Sequence, residues 1–205
     1  MELSLNLQTI IFILVSLIVT LSVHEAMHAY VSLKLGDTTA YDQGRVSFNP
    51  LRHIDPVATV LLPLITLVLF HVPLLAARPV PFNPARVKYD EFGAALIAFA
   101  GPLSNLVMAV LGALLLHIAP AGSFVVDLLA VFILVNVGIF VFNMIPIPPL
   151  DGSRVLYAFA PEALQNVMAQ MEQFGFFIVF ALVLAVPAFS NLLFYLNNTI
   201  LRLLP

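Results

Sequence analysis

The chain has 205 residues, 61% of them hydrophobic and 9% charged, with a mean hydropathy of +1.06. So low a charged fraction, against ~25% in typical soluble domains, excludes a soluble globular protein and implies a polytopic integral membrane protein of one domain, 1–205. The net charge of −3 gives no basic footprint for nucleic acid, and the lack of cysteine excludes disulfide and thiolate chemistry.

The first apolar run, 5–35, is predicted to be a retained membrane span. It has Glu2 where a signal peptide has a basic region, and it runs on without a small-residue cleavage site. Its end carries "LSVHEAMHAYVSLKLG", residues 21–36. Next come two polar stretches, 37–56 and 78–91, with an internal echo: "VSFNPLR" at 46–52 and "VPFNPAR" at 80–86. Alternation before each Asn-Pro predicts strands ending in turns, and so a small β-sheet. These stretches hold Lys34, Arg45, Arg52, Arg78, Arg86 and Lys88 within or beside them, six of the eight basic residues, which puts them in the cytoplasm. The apolar stretch between them, 57–77, contains Pro63 and Pro73 and must then enter and leave on one side, as a re-entrant hairpin. Further spans are predicted at 92–118, 124–145 and 174–201, each long enough for a bilayer that takes ~20 apolar residues. The expected fold is an all-α polytopic membrane protein with about four transmembrane helices, the hairpin and the sheet at the cytoplasmic side.

His24-Glu25-Ala26-Met27-His28 is H-E-x-x-H. On a helix, positions i and i+4 share a face, so both imidazoles can hold one cation, and zinc suits neutral imidazole nitrogen. Glu25 stands where it can take a proton from water. The bland alternative, polar side chains satisfied by helix neighbours, is expensive: an ionised group at mid-bilayer costs ~2.5–3.5 kcal/mol. Helix rise puts His28 and His24 ~9 and ~15 Å from Lys34, inside the membrane but close to cytosolic water.

A catalytic zinc takes three protein ligands and one open position. His53, His71, His117, Asp55 and Asp151 are candidates for the third. Asp151 follows Pro146, Pro148 and Pro149, which bend the chain out of helix so that a carboxylate can aim inward. The same residue suits a helix N-cap or an Asp-Gly turn equally well. In "AGPLSNLVMA", 100–109, Gly101, Asn105 and Ala109 form a small-residue stripe for close helix approach. Asn105 can also bond across to the His24 helix or to a substrate. Asn136 and Asn143 share a face at i, i+7.

"HEAMH" at 24–28 with "NMIPIPPLDG" at 143–152 resembles the site-2 protease family of intramembrane zinc metalloproteases. "GRVSFNPLRHIDP" at 44–56 and "RPVPFNPARV…AGPLSNL" at 78–106 are similar to its small bacterial members. The likeness implies one Zn2+ per chain held by His24, His28 and Asp151, with Glu25 as catalytic base and Asn143 holding the scissile carbonyl. It implies a transmembrane protein as substrate, a bilayer as surroundings, and a bacterial inner (plasma) membrane location with the site toward the cytoplasm. Within these 205 residues no segment is long enough for a PDZ domain, and no nucleotide-binding domain follows the last span. Two other classes fit an intramembrane metal site. A metal-ion transporter would show ionisable groups on several spans and internal repeats. A catalytically inactive interaction protein would have no use for Glu25.

Overall fold

The computed structural model describes residues 6–53 and 80–205. Helix α1, Leu7–Lys34, starts at Asn6, whose side chain accepts from the Thr9 N–H at 2.8 Å. It ends in a Schellman motif: Gly36 takes φ +104°, its N–H donates to Leu33 O, and the Asp37 N–H donates to Ser32 O. Along α1 the usual arrangement is inverted. Leu7, Ile11, Leu14 and Ile18 are exposed, while Ser16, Thr20, His24, Glu25, His28 and Ser32 are buried. A helix with its apolar bulk outside and its polar groups inside suits a lipid solvent.

Helix α2 is Asp90–Ile118 and α3 is Phe124–Asn143. Among the described residues α1, α2 and α3 are the helices long and apolar enough to cross a membrane. Helix α2 packs against both α1 and α3 and also touches α4, Asp151–Tyr157. Its buried residues are nearly all Gly or Ala, which lets the backbones come close without a hydrophobic driving force between them. Ala109 and Ala113 of α2 meet Ile133, Val137 and Val141 of α3 in the apolar core. The site lies where α1 and α4 pack against α2.

Two expectations fail. The described parts of 37–56 and 78–91 contain no strand. They form a one-turn helix at Thr39–Asp42 and two short 3-10 turns, Pro50–Arg52 and Pro84–Arg86. The echoed Asn-Pro pairs do make matching turns. Asn49 accepts from the Leu51 N–H at 3.0 Å, and Asn83 from the Ala85 N–H at 3.1 Å. Strands do not precede them because the backbone groups are used locally: Ser47 N–H bonds Arg45 O, His53 bonds Ser47 O, and the Arg45 guanidinium bonds Arg52 O. The span expected at 174–201 is also not one helix. It divides into α6, Gly175–Ala185, and α7, Pro187–Leu203, with Val186 extended. Pro187 has no N–H to continue the ladder and disfavours helix in the residue before it. An amphipathic α5, Glu162–Glu172, meets α6 at 83°. The hairpin expected over 57–77 lies outside the described residues, as do Asp55 and His71.

The two polar stretches meet at Asp37, which is fully buried. Its Oδ1 accepts from the Thr39 N–H (3.0 Å) and Oγ (2.5 Å), and its Oδ2 from Ser32 Oγ (3.2 Å) and the Asn83 N–H (2.7 Å). The Lys88 N–H adds a bond to Leu35 O at 2.9 Å. Burial pushes the Asp37 carboxyl up, but the Thr39, Asn83 and Ser32 donors outweigh it and hold it below the usual range.

Candidate metal centre

Because α1 is an uninterrupted helix through 24–28, both imidazoles project to one side, with ring centroids 4.6 Å apart and planes at 86°. Asp151 reaches them from the first turn of α4. The bend that brings it there uses Pro146, Pro148 and Pro149, and the Pro148–Pro149 bond is cis. Gly152 makes the bend possible, since a Cβ there would lie 2.3 Å from the Met144 carbonyl oxygen.

Three ligand-type atoms converge. His28 Nε2 is 3.0 Å from His24 Nε2, and Asp151 Oδ2 is 3.2 Å from His24 Nε2 and 3.5 Å from His28 Nε2. Zinc bonds of ~2.0–2.2 Å in a tetrahedron require ligand-to-ligand edges of roughly 3.3–3.6 Å, so this triangle is within a few tenths of an ångström of a tetrahedral face. Charge agrees as well. Glu25, buried on the same turn, and Asp151 bring two carboxylates to a pair of imidazoles, and a divalent cation balances them. The two histidine side chains are 5% and 9% exposed and that of Asp151 is 20%, so the triangle is most open at Asp151.

Helix α2 supplies the surroundings. His28 Nδ1–H donates to the Ile97 carbonyl at 2.7 Å, which leaves its Nε2 lone pair free. Asn105 Nδ2 lies 3.1 Å from His24 Nδ1. Between these partners sits Gly101, where a Cβ would lie 2.3 Å from His28 Nε2 and 2.8 Å from His24 Cε1. Pro102 cannot donate to Ala98, so the helical ladder is interrupted one residue from the carbonyl that His28 uses.

His53 and His117 do not join the triangle. His53 is buried and donates from Nε2 to Ser47 O at 2.7 Å, and His117 donates to its own helix at Ala113 O, 2.9 Å. Asn143 and Asn136 turn their amide N–H groups back to Ile139 O (3.0 Å) and Phe132 O (2.8 Å). Sequence reasoning missed two residues. Ile97 contributes a carbonyl, which its side chain does not advertise. Asp37 was legible in principle, because Asp-x-Thr just after a helix-ending glycine is a turn signal.

The profile of peptidase family M50 matches residues 117–186. The chain is 36% identical over 202 residues to a Bacillus subtilis protein named "Putative zinc metalloprotease YwhC", covering 91% of this chain and 86% of that one. It is 28% identical over 191 residues to "Putative zinc metalloprotease Rip2" of Mycolicibacterium smegmatis, covering 91% of this chain and 71% of the relative. No solved structure gives a significant match. An identity of that size over nine-tenths of the chain, with the His24–His28–Asp151 triangle inside it, makes this chain a member of peptidase family M50, the site-2 proteases.

Proposed function

We propose that the chain is an intramembrane zinc metalloendopeptidase that hydrolyses peptide bonds within or beside transmembrane segments of membrane proteins. The observation that carries the reading is the 3.0–3.5 Å triangle of His24 Nε2, His28 Nε2 and Asp151 Oδ2. The same reading takes one zinc per chain, and a site that opens to the cytoplasmic side of a bacterial plasma membrane. Lys34 at the near end of α1 and the basic residues around Arg45 and Arg86 support that orientation.

In this reading His24, His28 and Asp151 hold the ion. Zinc supplies a Lewis acid that makes water acidic and polarises a carbonyl oxygen. Glu25 is the proton carrier: it accepts a proton from the attacking water and returns it to the leaving amide nitrogen. Asn143 is assigned to the scissile carbonyl, for which its amide must leave Ile139 O. Substrate residues must be unwound from helix first, because a helical peptide carbonyl is already hydrogen-bonded. The freed groups then need polar partners, which the buried hydroxyls and amides on α1 and α3 make available at membrane depth.

The test is cleavage of a co-reconstituted transmembrane protein with and without chelator, in wild type and Glu25→Gln. The variant is expected to bind zinc as wild type does and to lose turnover by about 10²–10⁴-fold, the range for a general base. Normal turnover in Glu25→Gln refutes the base assignment. Zinc entry into liposomes without proteolysis refutes the protease reading in favour of a transporter.

A further inference from the structure

We propose that one stripe of α2 (Ile97, Gly101 and Asn105) seats both histidine rings, and that the Asn105 amide oxygen fixes His24 as its Nδ1–H tautomer. The proposal rests on the metal reading above and gives Asn105 a role at the metal ligand in place of one at the substrate. The three residues stand at i, i+4 and i+8 and therefore share one face of α2.

His28 has a fixed acceptor at its Nδ1. Its Nδ1 is 2.7 Å from the Ile97 carbonyl, which can only accept. The proton is therefore on Nδ1, and Nε2 carries the lone pair that points into the triangle. His24 faces the same triangle with its own Nε2, 3.2 Å from Asp151 Oδ2. To bind a cation there, it too must carry its proton on Nδ1.

The group facing His24 Nδ1 is the Asn105 amide. With Nδ2 turned toward His24 at 3.1 Å, the amide would donate to Nδ1. The His24 proton would then sit on Nε2, inside the triangle, where it blocks the cation. Metal binding and that amide orientation exclude each other. A half-turn of the amide exchanges two atoms of nearly equal size, and Oδ1 then accepts from Nδ1–H. No hydrogen bond on the far side holds the amide in the other orientation, because Oδ1 is buried there without a partner. Asn105 is wholly buried, so water does not compete for the contact. The two rings are thus held by one acceptor each, a backbone carbonyl and a side-chain carbonyl. Gly101 lies between, where only a hydrogen atom fits.

The experiment uses the full chain, purified in detergent. Zinc affinity is measured by competition with a chromophoric chelator, and the Co2+ absorption spectrum reports four-coordinate geometry. Asn105→Leu removes the acceptor and is expected to weaken zinc binding by about 10–100-fold and to alter the Co2+ bands, the usual effect of losing a partner of a ligating histidine. Asn105→Asp can only accept, and is expected to keep wild-type affinity or exceed it. If Asn105→Asp binds as weakly as Asn105→Leu, the amide donates and the proposal falls. Unchanged affinity in Asn105→Leu also overturns it. Should Asn105→Leu fail to fold, Asn105→Asp against wild type still separates acceptor from donor. His24→Ala isolates the underlying reading: if it binds zinc as wild type does, the metal site is elsewhere and the fault is not with Asn105.

Discussion

The membrane core around α1, α2 and α4 and the C-terminal helices α5 to α7 are built from similar apolar material, yet they pack in different ways. In the core, buried positions are mostly small or polar residues (Gly, Ala, Ser, Thr, His and Asn), and several contacts are made at hydrogen-bond distance. In α7 no residue is buried, and α6 buries only Gly175 and Val179. Position is therefore specified closely where three helices meet with little side chain between them, and loosely where bulky residues face outward. A metal site needs ligand atoms within a few tenths of an ångström, and it lies in the first kind of region.

The sharpest way to break this contrast is to add one methyl group on each side of it. Gly101→Ala puts a Cβ 2.3 Å from His28 Nε2, and the ring cannot move away without leaving the triangle. Zinc affinity and proteolysis are expected to fall at least 100-fold, since first-coordination geometry is lost as well as its supporting contacts. A smaller effect is expected at Asp37. Asp37→Asn turns an NH2 toward two of the four donors and should cost about 1.5–3 kcal/mol in detergent melts. Asp37 also predicts a pH dependence with a definite sign. Its folded pKa is depressed, so its contribution is complete above about 3.9, the unfolded value, and is lost as pH falls through the folded value. Acid melts of Asp37→Asn should lack that part of the decline.

Positions away from the close helix contacts should respond weakly. Arg154 of α4 forms an ion pair with Glu172 and stands 5.7 Å over the Phe82 ring, but both charged side chains are about half exposed. Arg154→Ala is expected to cost under about 1 kcal/mol and to leave zinc affinity within a few-fold of wild type. A large loss would mean that the Asp151 helix is steered from its surface side. The control for Gly101 is Gly138→Ala, where the nearest atom to the new Cβ is Asn197 Oδ1 at 3.9 Å. No loss is expected there, and a gain of a few tenths of a kcal/mol fits ordinary helix propensity.

The parts of the fold and site that were legible in sequence were the local ones. Apolar length located α1, α2 and α3 to within two residues at nearly every end, and i, i+4 spacing put His24 and His28 on one face. Asp151 was different: residue chemistry left it among five candidates, and only the likeness of "NMIPIPPLDG" singled it out. The misread strands had the right alternation, but strands require partners, and the groups that would have paired were already used in turns around Arg45 and His53. Similarly, "FFIVFALVLAVPAFSNLLFYL" has the length of a span, while Pro187 decides where its helix must stop. The seat for the histidines was half visible: Gly101 and Asn105 stood out as a small-residue stripe, whereas a carbonyl acceptor at Ile97 leaves no mark in the sequence.

At Gly101 no side chain separates the backbone of α2 from the two rings on α1. Interhelical spacing and ligand placement are consequently a single mechanical coordinate. A force that pries these two helices apart, whether from bilayer thinning or from an inserted polypeptide, is felt directly as a change in ion retention. Conversely, an ion held by His24 and His28 of α1 and Asp151 of α4 ties those two helices together, so chelation should loosen the membrane core itself as well as stop the chemistry.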